Sequence, residues 1–183
     1  MRSLRLAEAE QETFLRLSIM LTGHDVAADS AQAVRADLLS GPPDLETLAA
    51  QQMVSKEDGS SAAAARARSK RVEEEMRSMP ARLQALLDAF AALEGSGDLD
   101  KLVQEQILAD PNVGPMARTL IVFWYTGGIM IPGPGATAAQ PDLYFPTKEA
   151  YVRGLVWPTA QAHPMGVTGG YFGYWHYEPE GAP

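Results

Sequence analysis

Apolar positions recur along the first part of the chain at the three- and four-residue spacing of amphipathic helices. Phe14, Leu17 and Leu21 share one face with Ala7 below them, which predicts a helix over residues 4–21 closed by Gly23. A second helix is predicted over 25–39, ended by Ser40-Gly41-Pro42-Pro43. Asp44 is placed to cap a short third helix carrying Leu45, Leu48 and Met53, and residues 56–60 read as an exposed turn. Residues 61–77 favour helix but offer little to bury. They predict a solvated helix with Lys70–Glu74 and Arg71–Glu75 pairs, or an insertion that contacts a partner. Pro80 restarts the pattern, and Leu83, Leu86, Leu87, Phe90 and Leu93 then form the cleanest apolar stripe in the chain. After Gly95-Ser96-Gly97, Asp98 caps a helix with Leu99, Leu102, Val103 and Ile107, broken by Pro111.

The run ARTLIVFWYTGG at 117–128 is the most apolar in the chain. Met116, Leu120, Phe123, Trp124 and Gly127 follow helical spacings, Pro115 suits a first turn, and Gly127 suits a left-handed cap. The run is shorter than the roughly 20 apolar residues that cross a bilayer, so a core helix over 116–126 is predicted, with Trp124 buried. Beyond it, GGIMIPGPGATAAQP has glycine or proline in every window and predicts no regular element. A last helix is expected over 147–157, presenting Tyr151, Leu155 and Val156 and stopped by Pro158. The fold class expected is therefore all-α. One domain, 1–183, would comprise a helical body over 1–127 and an irregular Gly/Pro- and aromatic-rich tail over 128–183 with one short helix.

Composition sharpens this division. Of fourteen aromatic residues, all but Phe14 and Phe90 lie from Phe123 onward, whereas 32 of 38 charged residues precede Ile121. Aromatic side chains are costly to leave wet, so the tail is expected to wrap the body, lie on another protein, or do both. Trp175 is the foremost interface residue, with Tyr171, Phe172, Tyr174 and Tyr177 beside it. Trp124, Tyr125, Tyr151 and Trp157 are assigned to the structural core, the last two forming a shelf for the tail.

A formal net charge of −8 argues against nucleic acid and against anionic membrane surfaces. The chain has no cysteine, which excludes disulfides, thiolate metal sites and cysteine nucleophiles. Its histidines, His24, His163 and His176, lack metal spacing and read as capping, loop or interface residues. Gly133-Pro134-Gly135 and Gly169-Gly170 lack the strand–turn–helix setting of a dinucleotide loop, and there is no G-x-S-x-G elbow. Acid pairs such as Asp98/Asp100 and Glu73–Glu75 read as caps and solvated faces. No catalytic, cofactor-binding or metal-binding residue is assigned, and the chain is expected to hold no flavin, haem or metal of its own.

ARTLIVFWYTG, the helix with Tyr151, Leu155 and Trp157, the GYFGYWHYEP end and LSIMLTGHD at 17–25 together resemble a known family. It is the small subunit family of bacterial membrane-bound flavin-dependent sugar and alcohol dehydrogenases. The resemblance spans about 14–25 and 117–179, and the middle of the chain adds nothing to it. It implies a non-catalytic subunit that binds, stabilises and helps to export a large glucose-methanol-choline-type subunit holding FAD. It also implies, in some members, a third subunit, a multihaem cytochrome c, and a periplasmic, membrane-associated complex. The N-terminus has no apolar leader stretch, so export would rest on a leader removed earlier or on the partner, and a cytoplasmic protein stays open. The alternative is a self-contained helical interaction protein with no obligate dehydrogenase partner.

Overall fold

A computed structural model describes residues 2–42, 62–133 and 142–162, with Pro164. The chain is mostly helical. In order it forms α1 (Arg2–Thr22), α2 (Ala28–Leu39), α3 (Ala62–Ala91) and α4 (Leu99–Leu102), which runs into a π-helical stretch (Val103–Leu108). There follow α5 (Gly114–Thr126), β1 (Ile129–Ile131), β2 (Asp142–Tyr144), α6 (Lys148–Val152) and α7 (Val156–Thr159). The helix proposed after Asp44 and the turn at 56–60 lie outside the described residues.

In α1, Phe14 and Leu17 are fully buried, and Leu21 packs at the margin of the same core. Two hydroxyls on this helix are also buried. Ser18 Oγ donates to Phe14 O and Thr22 Oγ1 to Ser18 O, both at 2.8 Å, so neither is left unpaired. Gly23 ends the helix at φ +70°, its N–H reaching Ile19 O. The second helix begins at Ala28, later than the expected 25, and buries Ala31, Val34 and Leu38.

The expectation for 61–91 needs correction. A single helix runs through Pro80, and its N-terminal part is not merely solvated. Val72, Met76 and Met79 are buried and continue the stripe of Leu83, Leu86, Leu87, Phe90 and Leu93. A helix-interior proline costs about 3 kcal/mol. Burying each of several large apolar side chains on either side returns about 1.5–3 kcal/mol, so tertiary packing outweighs the local break. Pro80 itself faces solvent. The Lys70–Glu74 pair forms loosely at 3.8 Å between exposed groups. Glu75, expected to pair with Arg71, is held by Arg82 two turns on.

Arg71 lies elsewhere, flat against Gly133, where an added Cβ would sit 2.5 Å from its Nε. One turn earlier, Arg68 grips Asp142 through Nε, 3.0 Å from each carboxylate oxygen, and through Nη2 at 2.8 Å. The same Nη2 donates to Leu143 O at 2.8 Å. Arg68 on α3 thus holds the second strand of a ribbon that the sequence reading missed, and Arg71 on the same face packs beside Gly133, just past the first. The strands are antiparallel, with Ile129 opposite Tyr144, Met130 opposite Leu143 and Ile131 opposite Asp142. Each is only three residues long. Pairing across eleven positions replaces the local pattern that glycine and proline interrupt, and Ile129 and Ile131 enter the core.

Asp98 caps α4 as expected, its carboxylate accepting from Lys101 N at 3.2 Å. The π-helical stretch buries Val103 and Ile107. Arg118 Nη1 donates to its last carbonyl, Leu108 O, at 2.8 Å. Asp110 then accepts from the N–H groups of Asn112 and Val113, which holds its carboxyl below the usual carboxylate range. That turn delivers the chain into α5.

Helix α5 is the centre of the fold, burying Met116, Ala117, Thr119, Leu120, Phe123 and Trp124. It packs on α1, α3, the π-helical stretch and β1. The expected final helix is in fact two. Thr147 caps α6 by accepting from Ala150 N at 2.9 Å, Gly154 interrupts, and α7 contains Pro158 instead of stopping at it. Pro158 is the third residue of α7, where its missing N–H would have had no intrahelical acceptor.

Replacing Arg68 by Ala is expected to destabilise the protein by about 1–3 kcal/mol, through loss of a bidentate charged contact and a carbonyl partner. Amide exchange should quicken first at Met130 and Ile131, ahead of the centre of α3. Unchanged protection of these strand amides would show that the ribbon does not depend on the arginine.

Candidate partner-binding surface

The C-terminal end of α5 is joined to the segment from α6 to α7 by backbone contact. Gly127 caps α5 at φ +71°, with its N–H 2.7 Å from Phe123 O. A Cβ on Gly127 would lie 2.2 Å from Ala150 O and 2.5 Å from Tyr151 N. One on Gly154 would lie 2.7 Å from Tyr125 O. Between these close approaches, Leu155 N donates to Trp124 O at 2.9 Å, using a carbonyl that the end of α5 leaves free. Two glycines on opposite segments therefore let the main chains touch.

The predicted core aromatics divide at this junction. Trp124 is buried, 3% exposed, although its Nε1 makes no hydrogen bond. Tyr125 is half-buried, and its hydroxyl donates to Thr22 O at 3.0 Å, tying α5 to the end of α1. His24 does not use its ring to meet carbonyls there. Its backbone N–H donates to Thr22 Oγ1, and its ring stands edge-on to Tyr125 at 5.9 Å.

Tyr151 and Trp157 lie at the rim, both half-buried. Their rings cross at 72° with centroids 5.0 Å apart, and Trp157 Nε1 donates to Tyr151 O at 2.8 Å. Phe145 extends the row, 5.5 Å from Tyr151 at 89°. Edge-to-face stacking of this kind holds rings in fixed relative positions. Phe145 was missed in the sequence, yet it follows buried Tyr144 at the end of β2, where strand alternation turns it outward. It is 38% exposed, and neighbouring Val152 is 41% exposed. A shallow cleft of about 390 Å³ opens here, lined by Phe145, Pro146, Thr147, Lys148 and Tyr151. The predicted interface residues Tyr171, Phe172, Tyr174, Trp175 and Tyr177 lie outside the described residues, as do His163 and His176.

One ion pair fixes the aromatic ledge to the bundle. Arg153, just after α6, contacts the Asp37 carboxylate in the last turn of α2. Burial pushes the Asp37 carboxyl above its usual range, nearby Glu149 adds to this, and Arg153 opposes it. What the ledge offers chemically is ring surface and shape, suited to recognition.

Among the described residues, no group of three or more histidines, aspartates or glutamates is arranged to hold a metal ion. Among them too, no helix is long and apolar enough to cross a membrane. Compared with protein-family models, curated proteins and solved structures, the chain matches none.

Because the folded state raises the Asp37 pKa, the group's stabilising contribution is complete below its unfolded value and is lost as pH rises through the folded one. At neutral pH the carboxylate is thus held at a net cost despite its partner. Asp37→Asn should melt no lower than the parent at pH 7. Arg153→Met, which leaves a desolvated carboxylate unpaired, should lose about 1–3 kcal/mol. Thermal melts of both variants check this, and a larger loss in Asp37→Asn than in Arg153→Met would reverse the assignment.

Proposed function

We propose that this chain is a non-catalytic small subunit that binds and stabilises a large FAD-dependent dehydrogenase subunit of the glucose-methanol-choline type. The observation that carries the reading is the coincidence of two features at one end of the molecule. The WYTG run that resembles the family is also the run that builds the aromatic ledge, through Trp124 O, Tyr125 O and Gly127. At the same end Ala162 N donates to Trp157 O at 2.9 Å, and Tyr171, Phe172, Tyr174, Trp175 and Tyr177 follow in the sequence. Rigid aromatic rings near an exposed apolar rim are the usual anchors of protein interfaces.

On this reading FAD belongs to the large partner, haem c to a third cytochrome subunit where one is present, and neither to this chain. The sugar or alcohol is oxidised on the partner, and the assembled complex works in the periplasm. A self-contained interaction protein is the second reading. It is favoured by the continuous core from Phe14 to Ala150, which closes without a partner among the described residues.

Trp175→Ala made in the coexpressed pair and in the isolated chain tests the proposal. Weakened copurification and lower flavoenzyme yield are expected, since truncating an interface anchor costs about 2 kcal/mol or more. The isolated variant should melt like its parent and remain colourless. An unchanged complex, or stoichiometric flavin on the isolated chain, would overturn the reading.

A further inference from the structure

Among the described residues five arginines are half-buried, and four of them dispose of their charge in the same way. Arg35 holds Glu10, Arg68 holds Asp142, Arg82 holds Glu75 and Arg153 holds Asp37. Arg71 is the fifth. Among the described residues it has neither an ion pair nor a hydrogen bond, and its Nε is buried without an acceptor. A guanidinium drawn partly out of water with no counter-ion loses hydration and gains nothing in exchange.

The acids around Arg71 are already committed. Of the three glutamates that follow it on α3, Glu73 takes Arg77, Glu74 reaches Lys70 and Glu75 is held by Arg82. Asp142, across on the ribbon, is gripped by Arg68 one turn earlier. Residues 134–141, which follow Gly133, include no aspartate or glutamate. The Arg71 side chain is nonetheless held in place. A Cβ on Gly133 would lie 2.5 Å from its Nε, 3.0 Å from its Cζ and 3.2 Å from its Cδ, so the guanidinium rests where only glycine leaves room. A fork positioned beforehand loses less freedom when it takes a planar acceptor.

We propose that Arg71, backed by Gly133, is a seat for one carboxylate supplied from outside this chain. A carboxylate is what each of the other four half-buried arginines holds, and its two coplanar oxygens match the guanidinium fork. Two sources carry this chemistry, a free organic acid and an aspartate or glutamate side chain of a bound protein. Occupation of the seat does not depend on the identity of the partner proposed above.

Acetate is the probe, added to the full chain at mildly acidic pH, where carboxylates of ordinary pKa stay ionised, and read from the arginine Nε–H signals. Arg71→Lys assigns the Arg71 signal. Acetate is expected to shift that signal saturably and to leave Arg68 and Arg82, already paired, unmoved. Chloride at equal ionic strength should not reproduce the shift. Gly133→Ala, whose methyl displaces the guanidinium while keeping its charge, should weaken acetate binding several-fold with the α1 and α5 spectrum unchanged. Arg71→Gln in the coexpressed pair then separates the sources. Weakened copurification assigns the carboxylate to a partner side chain, and unchanged copurification assigns it to a free acid. No acetate shift at Arg71, the result if a carboxylate of this chain already fills the seat, would overturn the proposal. A shift that chloride reproduces, or one that Gly133→Ala leaves intact, would overturn it too.

Discussion

Main-chain contact between the end of α5 and the segment from α6 to α7 is the constraint on which the C-terminal part of the structure depends. Side chains alone would hold these segments a residue's width apart. Glycine at 127 and at 154 removes that spacing, so carbonyls and N–H groups meet directly and Trp124 O can take Leu155 N. Gly127 also ends α5 in the left-handed conformation, which redirects the chain into β1. One residue therefore sets the helix end, the approach of α6 and the entry to the ribbon. The aromatic ledge inherits its position from these contacts.

Around that junction the polar ties run between elements distant in sequence. Arg68 holds the ribbon from α3, Arg153 reaches Asp37 on α2, and the Tyr125 hydroxyl closes the end of α1. Of these ties, two satisfy main-chain carbonyls, Arg68 that of Leu143 and Tyr125 the last-turn carbonyl at Thr22. They differ in energetic character. Partial burial of the Asp37 carboxyl opposes its ionisation beside Arg153, whereas Arg68 gains several charge-assisted bonds at a half-exposed site. Orientation of the ledge is thus set by polar contacts and its stability by the core beneath.

Much of this was legible from local pattern. The stripe from Leu83 to Leu93, the caps at Gly23, Asp98 and Gly127, and the burial of Trp124 all follow from spacing within one or two turns. Failures arose where a distant partner decided the outcome. Pro80 lies inside a helix because Val72, Met76 and Met79 are buried on its N-terminal side. Ile129–Ile131 became a strand because Asp142–Tyr144 pairs with it. Tyr151 and Trp157 were singled out in the sequence as core residues and a shelf for the tail, yet they stand half-buried at the rim, and Phe145 was not singled out, since its place depends on the ring of Tyr151 beside it. The segment at 61–77 is likewise tied, through Arg68, to Asp142, more than seventy positions away.

The most direct measurement compares Gly127→Ala with Gly95→Ala by denaturant unfolding. Both glycines have positive φ, +71° and +84°, so alanine at either incurs about 1–2 kcal/mol of left-handed strain. Gly95 has nothing within 4 Å of an added Cβ, whereas Gly127 faces the Ala150 backbone at 2.2 Å. If the main-chain junction organises the fold, Gly127→Ala loses about 1–3 kcal/mol more than Gly95→Ala, because the backbones must separate. Exchange at the Trp157 indole N–H should quicken in that variant alone. Equal losses at the two glycines, with Trp157 undisturbed in both, would contradict the account.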